Sequence, residues 1–173
     1  MLYNSDVLAL ITYLNGQTMN TQIVELIGRN YLVSELLKAG FEVASPLRDR
    51  GVDLIAYMDI DEDIDQFVGI PIQLKAASKR TFSIHRKYNK FPNLIMAYVW
   101  DIASTELQPT IYALTQQEAV AVGDAMEYTK TASWLVGGSY DQTRPSRKLI
   151  ELLKPYEMTL TTWRKKLLRL EWL

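Results

Sequence analysis

Two apolar runs, 52–58 and 67–77, constrain this chain more than any other feature. Both are rich in Val, Ile, Phe and Tyr, and a polar tip from Asp59 to Gln66 separates them. Short runs of this composition predict strands, and the tip closes them as a hairpin. Each predicted strand carries an interruption. Asp53 stands near the start of the first, and Gln73 and Lys75 stand two residues apart in the second. Strand side chains alternate between faces, so Gln73 and Lys75 share one face. A buried lysine is costly without a partner or a function.

Asp53 followed by Gln73-Leu74-Lys75 on the next strand resembles the pattern of the PD-(D/E)XK nuclease superfamily. That pattern is an acid early in one strand, then an acid, any residue and a lysine on the next. The resemblance is to the resolvase-like and homing-endonuclease-like branches, which accept Gln for the second acid and add a Glu on a preceding helix. Glu35 fits the helix position. The likeness spans roughly residues 20 to 100, and such a short motif gains its value from its context.

The resemblance implies an α/β fold with a restriction-endonuclease-like core, a mixed central sheet flanked by helices. It implies a metal-dependent DNA endonuclease acting on duplex or branched DNA. The implied Mg²⁺ ligands, with Mn²⁺ as substitute, are Asp53, Gln73, Glu35 and the backbone carbonyl of Leu74. Lys75 is implied to orient or activate the attacking water and to stabilise the developing charge. Gln73 removes one negative charge from such a site. That keeps a DNA-binding module with a decayed nuclease site as an alternative. A structural or partner-binding subunit is the third reading.

Composition narrows the field. A chain of 173 residues is long enough for a real core and is expected to form one domain over 1–173, with 1–16 and 144–173 as helical appendages. Its 48% hydrophobic content argues against disorder. No apolar run reaches about 18 residues and no leader is evident, so no membrane span is expected and a cytoplasmic location is. With no Cys there is no disulfide, thiolate zinc site or Cys nucleophile, and a lone His argues against a His-rich metal site. The acidic tip lacks the glycine of a calcium-binding EF-hand loop, because Ile64 stands in that place. A double-strand cut generally needs two sites, so a homo-oligomer is the default.

The net charge of −1 gives no sign of nucleic-acid binding, but its distribution does. No Asp or Glu occurs from Gln66 to Trp100, a span holding Lys75, Lys79, Arg80, Arg86, Lys87 and Lys90. Lys79, Arg80, Arg86, Lys87 and Lys90, with Arg48 and Arg50 of the preceding loop, are the candidate DNA contacts. A second basic stretch covers 144–173. His85 reads as a surface or phosphate contact, and Tyr88 and Phe91 as core residues able to stack on bases.

Taken in order, the sequence predicts a helix from Asn4 or Ser5 to Gly16. A second helix runs to Ala39, with Ile23, Ile27, Tyr31 and Glu35 on one line and apolar residues on further faces. Strands follow at 41–45, in the hairpin, at 82–84, 93–100 and 110–114. Thr115-Gln-Gln-Glu118 has capping-box spacing for a helix through Val122. A strand is expected at 133–136, a helix from Ser146 to Leu153 stopped by Pro155, and a last helix capped by Thr161 or Thr162.

Overall fold

The computed structural model describes residues 20–48, 50–58 and 67–168. The expected first helix, the acidic tip and Arg169 lie outside those residues. Helix α1 (Thr21–Lys38) is capped by Asn20, whose side chain accepts the Gln22 N–H, and ends before Gly40 in the left-handed region. Its buried line is Val24, Gly28, Leu32 and Leu36. Sequence spacing had favoured the adjacent line, but Ile23 and Ile27 are exposed, as are Leu26 and Leu37. The helix is therefore buried on one side, not sandwiched. Gly28 sets its approach to the sheet: a Cβ there would lie 2.5 Å from Ala76 Cβ.

Strands β1 (Glu42–Ala44), β2 (Leu54–Tyr57), β3 (Ile70–Ala76), β5 (Ile95–Trp100) and β6 (Thr110–Thr115) form a five-stranded sheet in that order. All neighbours are antiparallel except β3 and β5, which are parallel. The sheet is thus mixed, as expected. A parallel pair requires the chain between its strands to cross a sheet face. That crossover holds β4 (Phe82–His85) and a 3₁₀ turn, Arg86–Lys90.

Alternation then divides the sheet. Ile70, Ile72 and Leu74 of β3, with Ile95, Ala97 and Val99 of β5, pack against α1 and against Trp163 and Leu167. Met96, Tyr98 and Trp100 point the other way, onto Phe82, Ile84, Tyr88, Val122 and Leu149. Gln73 and Lys75 belong to this second face. Its cover includes α2 (Gln116–Ala125), opened by the expected capping box between Thr115 and Glu118.

Three local expectations are corrected. Residues 133–136 are not a strand but part of helix α3 (Ala132–Gly137). Thr131 caps it and Gly138, at φ 72°, ends it. The strand comes next, β7 (Ser139–Gln142), paired with β4 in a separate two-stranded ribbon. Helix α4 (Arg147–Leu153) agrees with expectation, although Pro155 lies within a 3₁₀ turn that follows directly. The last helix, α5 (Leu160–Leu168), starts earlier than Thr161, and the Thr159 hydroxyl accepts the Thr162 N–H. Helices therefore flank both faces of a mixed α/β sheet. No described helix is long and apolar enough to cross a membrane.

Candidate functional site

Asp53 precedes β2 and lies opposite Gln73 of β3, where the Asp53 N–H donates to the Ile72 carbonyl at 2.9 Å. Both side chains are buried, with Asp53 6% and Gln73 8% exposed. Such polar burial demands partners, and the partners form a chain. Asp53 Oδ2 accepts the Leu74 N–H at 2.7 Å and a bond from Gln73 Nε2. The same Nε2 donates to the Leu74 carbonyl at 3.2 Å. Gln73 Oε1 accepts from the Tyr88 hydroxyl at 3.1 Å, and Lys75 Nζ lies 3.5 Å from that hydroxyl. The structure therefore brings together Asp53, Gln73, Leu74 and Lys75, and adds Tyr88. Arg29 of α1 donates to the Asp53 carbonyl at 3.3 Å.

Glu35 is placed elsewhere. It pairs with Lys38 at 2.8 Å and lies beside Tyr31, whose pKa it raises together with the larger effect of burial. Six residues of helix separate it from Arg29, about 9 Å along the axis. The physical reason is that α1 covers the opposite sheet face from Gln73 and Lys75. Among the described residues, no group of three His, Asp or Glu side chains gathers for a metal.

The oxygens that do converge are informative. Gln73 Nε2 sits between Asp53 Oδ2 and the Leu74 carbonyl and donates to both. Turning the amide over presents Oε1 to that point, and the Tyr88 hydroxyl can accept from Nε2 as readily as it now donates to Oε1. Gly51, at φ 93°, keeps the backbone close, and a Cβ on it would lie 3.9 Å from Gln73 Oε1.

A small groove opens beside Lys75, lined by Ser83, His85, Lys87, Tyr88, Ser139 and Asp141. His85 Nδ1 accepts the Lys87 N–H at 3.0 Å, which leaves Nε2 as the protonated nitrogen. Burial first, then the Lys87 and Lys75 cations, hold the imidazole below the usual histidine range, while Asp141 acts the other way. His85 is therefore neutral at neutral pH.

The candidate DNA contacts divide by what holds them. Lys79, Lys87, Lys90, Arg48 and Arg50 are exposed. Arg80 donates to Asp101 through three hydrogen bonds of 2.8–3.0 Å from Nε and Nη2, which raise its pKa. Arg86 lies over the Trp134 ring at 5.1 Å and donates to the Leu135 carbonyl. In the second basic stretch, Lys166 pairs with Glu118, Lys154 with Glu151, and Lys148 donates to the Ala125 carbonyl.

Tyr88 is a core residue, as the sequence reading has it, and its role in the cluster is the part that reading lacks. It is 3% exposed and joins the cluster through its hydroxyl, so its ring is not open for a base. Its aromatic character drew attention to it, but nothing in the sequence pointed the hydroxyl at Gln73.

No protein-family model matches the chain, and no curated protein matches it. Among solved structures it is similar to that of a bacterial homing endonuclease, I-Ssp6803I. The identity is 13% and the TM-score 0.47, over 88% of this chain and 94% of that one.

Proposed function

We propose that the chain is a metal-dependent endonuclease hydrolysing phosphodiester bonds in duplex or branched DNA. The observation that carries this reading is the convergence of Asp53 Oδ2 and the Leu74 carbonyl on one point, with Lys75 on the same face. Hard cations take such oxygen donors, and Mg²⁺ keeps several waters alongside one or two carboxylates. Asp53, the Leu74 carbonyl and the turned-over Gln73 amide would hold Mg²⁺ or Mn²⁺. The bound ion would supply charge neutralisation at the phosphate and a more acidic water.

The chain's own groups do the rest. Lys75 positions the attacking water and steadies the charge that develops on the phosphate. Tyr88 fixes the Gln73 amide and the approach of the Lys75 ammonium. Lys87 and Lys90 hold the phosphate backbone, and neutral His85 offers an Nε2–H donor to it. The Gln73 amide also favours a second reading, a DNA-binding module that does not cleave, because its NH₂ satisfies Asp53 with no metal present.

Plasmid nicking decides between them, measured with Mg²⁺, Mn²⁺ or EDTA on the parent, Asp53→Asn and Lys75→Ala. Metal-dependent nicking that both substitutions abolish, with folding intact, is the expected result. Undiminished nicking by Lys75→Ala overturns the site. Salt-sensitive retention of DNA on a gel without cleavage selects the second reading.

A further inference from the structure

We infer that a groove next to the Asp53–Lys75 cluster holds a single unstacked nucleobase, so that the preferred substrate is DNA carrying an unpaired base; this rests on the DNA reading above. The groove measures about 630 Å³. It lies on the far side of the Arg86–Lys90 turn from Lys75. Lys87 and Tyr88 line the Lys75 groove, whereas Asn89 and Phe91 line this one. The two grooves are thus lined by neighbouring residues on either side of Tyr88 and Asn89.

Its chemistry matches a heterocycle. Phe91, Val120 and Trp134 supply apolar walls, and Asn89, Gln116 and Asp124 supply polar groups. Gln116 is 2% exposed. Its Nε2 donates to the His85 carbonyl and to Asn89 Oδ1, both at 3.0 Å, which fixes the amide orientation. Its buried Oε1 has no partner among the described residues. A buried acceptor without a donor is unfavourable, and the Watson–Crick edge of every DNA base carries an N–H.

Charge sorts the ligand into two parts. Lys90 Nζ lies 5.3 Å from the centre of the Phe91 ring, and Arg86 lies over Trp134, so cations stand over both aromatic walls. Asp124 lines the groove itself and repels phosphate there. A cationic surround about an interior of aromatic, amide and carboxylate groups fits a base with its phosphate outside, and does not fit a free phosphate. Enzymes and single-strand binders take bases from the stack in this way, and the penalty is smallest where the base is already unpaired.

The test is binding of two fluorescent duplexes in EDTA, one with 2-aminopurine paired and one with it unpaired. The parent chain is expected to bind the unpaired duplex at least tenfold more tightly and to change its emission. Ala121→Trp, at an exposed position lining the groove, is expected to abolish that preference while binding paired duplex as the parent does; Ala121→Phe replaces it if the Trp variant melts early. Equal binding of the two duplexes by the parent, or a preference that survives the plug, overturns the inference. Lys75→Ala is expected to keep the preference. A chain that never nicks but retains it leaves this inference standing without the nuclease reading, and a chain that nicks without it does the reverse.

Discussion

Tyr88→Phe removes one hydroxyl and keeps the ring, so it isolates the link between Gln73 and Lys75. The hydroxyl is buried, 3.1 Å from Gln73 Oε1 and 3.5 Å from Lys75 Nζ. An ordinary hydrogen bond contributes about 0.5–1.5 kcal/mol net, but a buried acceptor left unpaired costs about 1–3 kcal/mol. Gln73 is only 8% exposed, so bulk water does not replace the lost donor. Turning the amide over merely orphans Nε2 instead. No cavity opens, so the expected loss is about 2 kcal/mol, from the desolvation range alone. With a urea slope of about 2 kcal/mol/M, the unfolding midpoint moves down by about 1 M. A double-mutant cycle with Gln73→Leu sharpens the test. Removing both partners leaves neither side of the Tyr88–Gln73 bond orphaned, so the pair should fall short of additivity by about 1 kcal/mol. Nicking should drop about 10–100-fold, as for loss of a group that orients a ligand. A single-variant loss below about 0.5 kcal/mol, or additivity within about 0.3 kcal/mol, would refute the chain of bonds.

Further expectations concern neighbouring parts. Gln73→Glu sets a second carboxylate against Asp53 where an N–H now donates; the like charges raise one pKa and weaken the metal-free fold. Melting in Mg²⁺ against EDTA should then differ more for this variant than for the parent, and an equal difference counts against a shared metal. Lys87→Ala should lower the slope of log affinity against log salt by about 0.9 for DNA of any sequence, and an unchanged slope moves the DNA surface elsewhere. Gly28→Ala should lower the melting temperature despite a helix-propensity gain of about 1 kcal/mol, because the new Cβ meets Ala76 at 2.5 Å; a stabilised variant contradicts that close approach.

The hairpin and the shared face of Gln73 and Lys75 were legible because a period of two leaves no freedom once the strand is placed. Glu35 was not. Helix α1 carries two apolar lines, and the choice between them depends on Gly28 admitting Ala76, which is a tertiary fact. Trp134-Leu135-Val136 reads as strand by composition, yet the Thr131 cap and the left-handed Gly138 wind it into α3. Ser139-Tyr-Asp-Gln142 is too polar to read as strand and gains its ladder only from β4. The pairing of Arg80 with Asp101, distant in sequence, was not legible either.

The connection between β3 and β5 makes the cluster local in the chain. Residues 53 to 88 contain Asp53, Gln73, Leu74, Lys75 and Tyr88, and α1 reaches them through an Arg29 bond to the Asp53 carbonyl. The cluster is thus built from one antiparallel strand pair and one crossover. Within the 3₁₀ turn, successive residues face different grooves, Lys87 and Tyr88 one way and Asn89 the other. A substitution at position 89 or 91 therefore reshapes the second groove while leaving the Tyr88 hydroxyl on Gln73, so the two grooves can be altered one at a time through neighbouring residues of one turn.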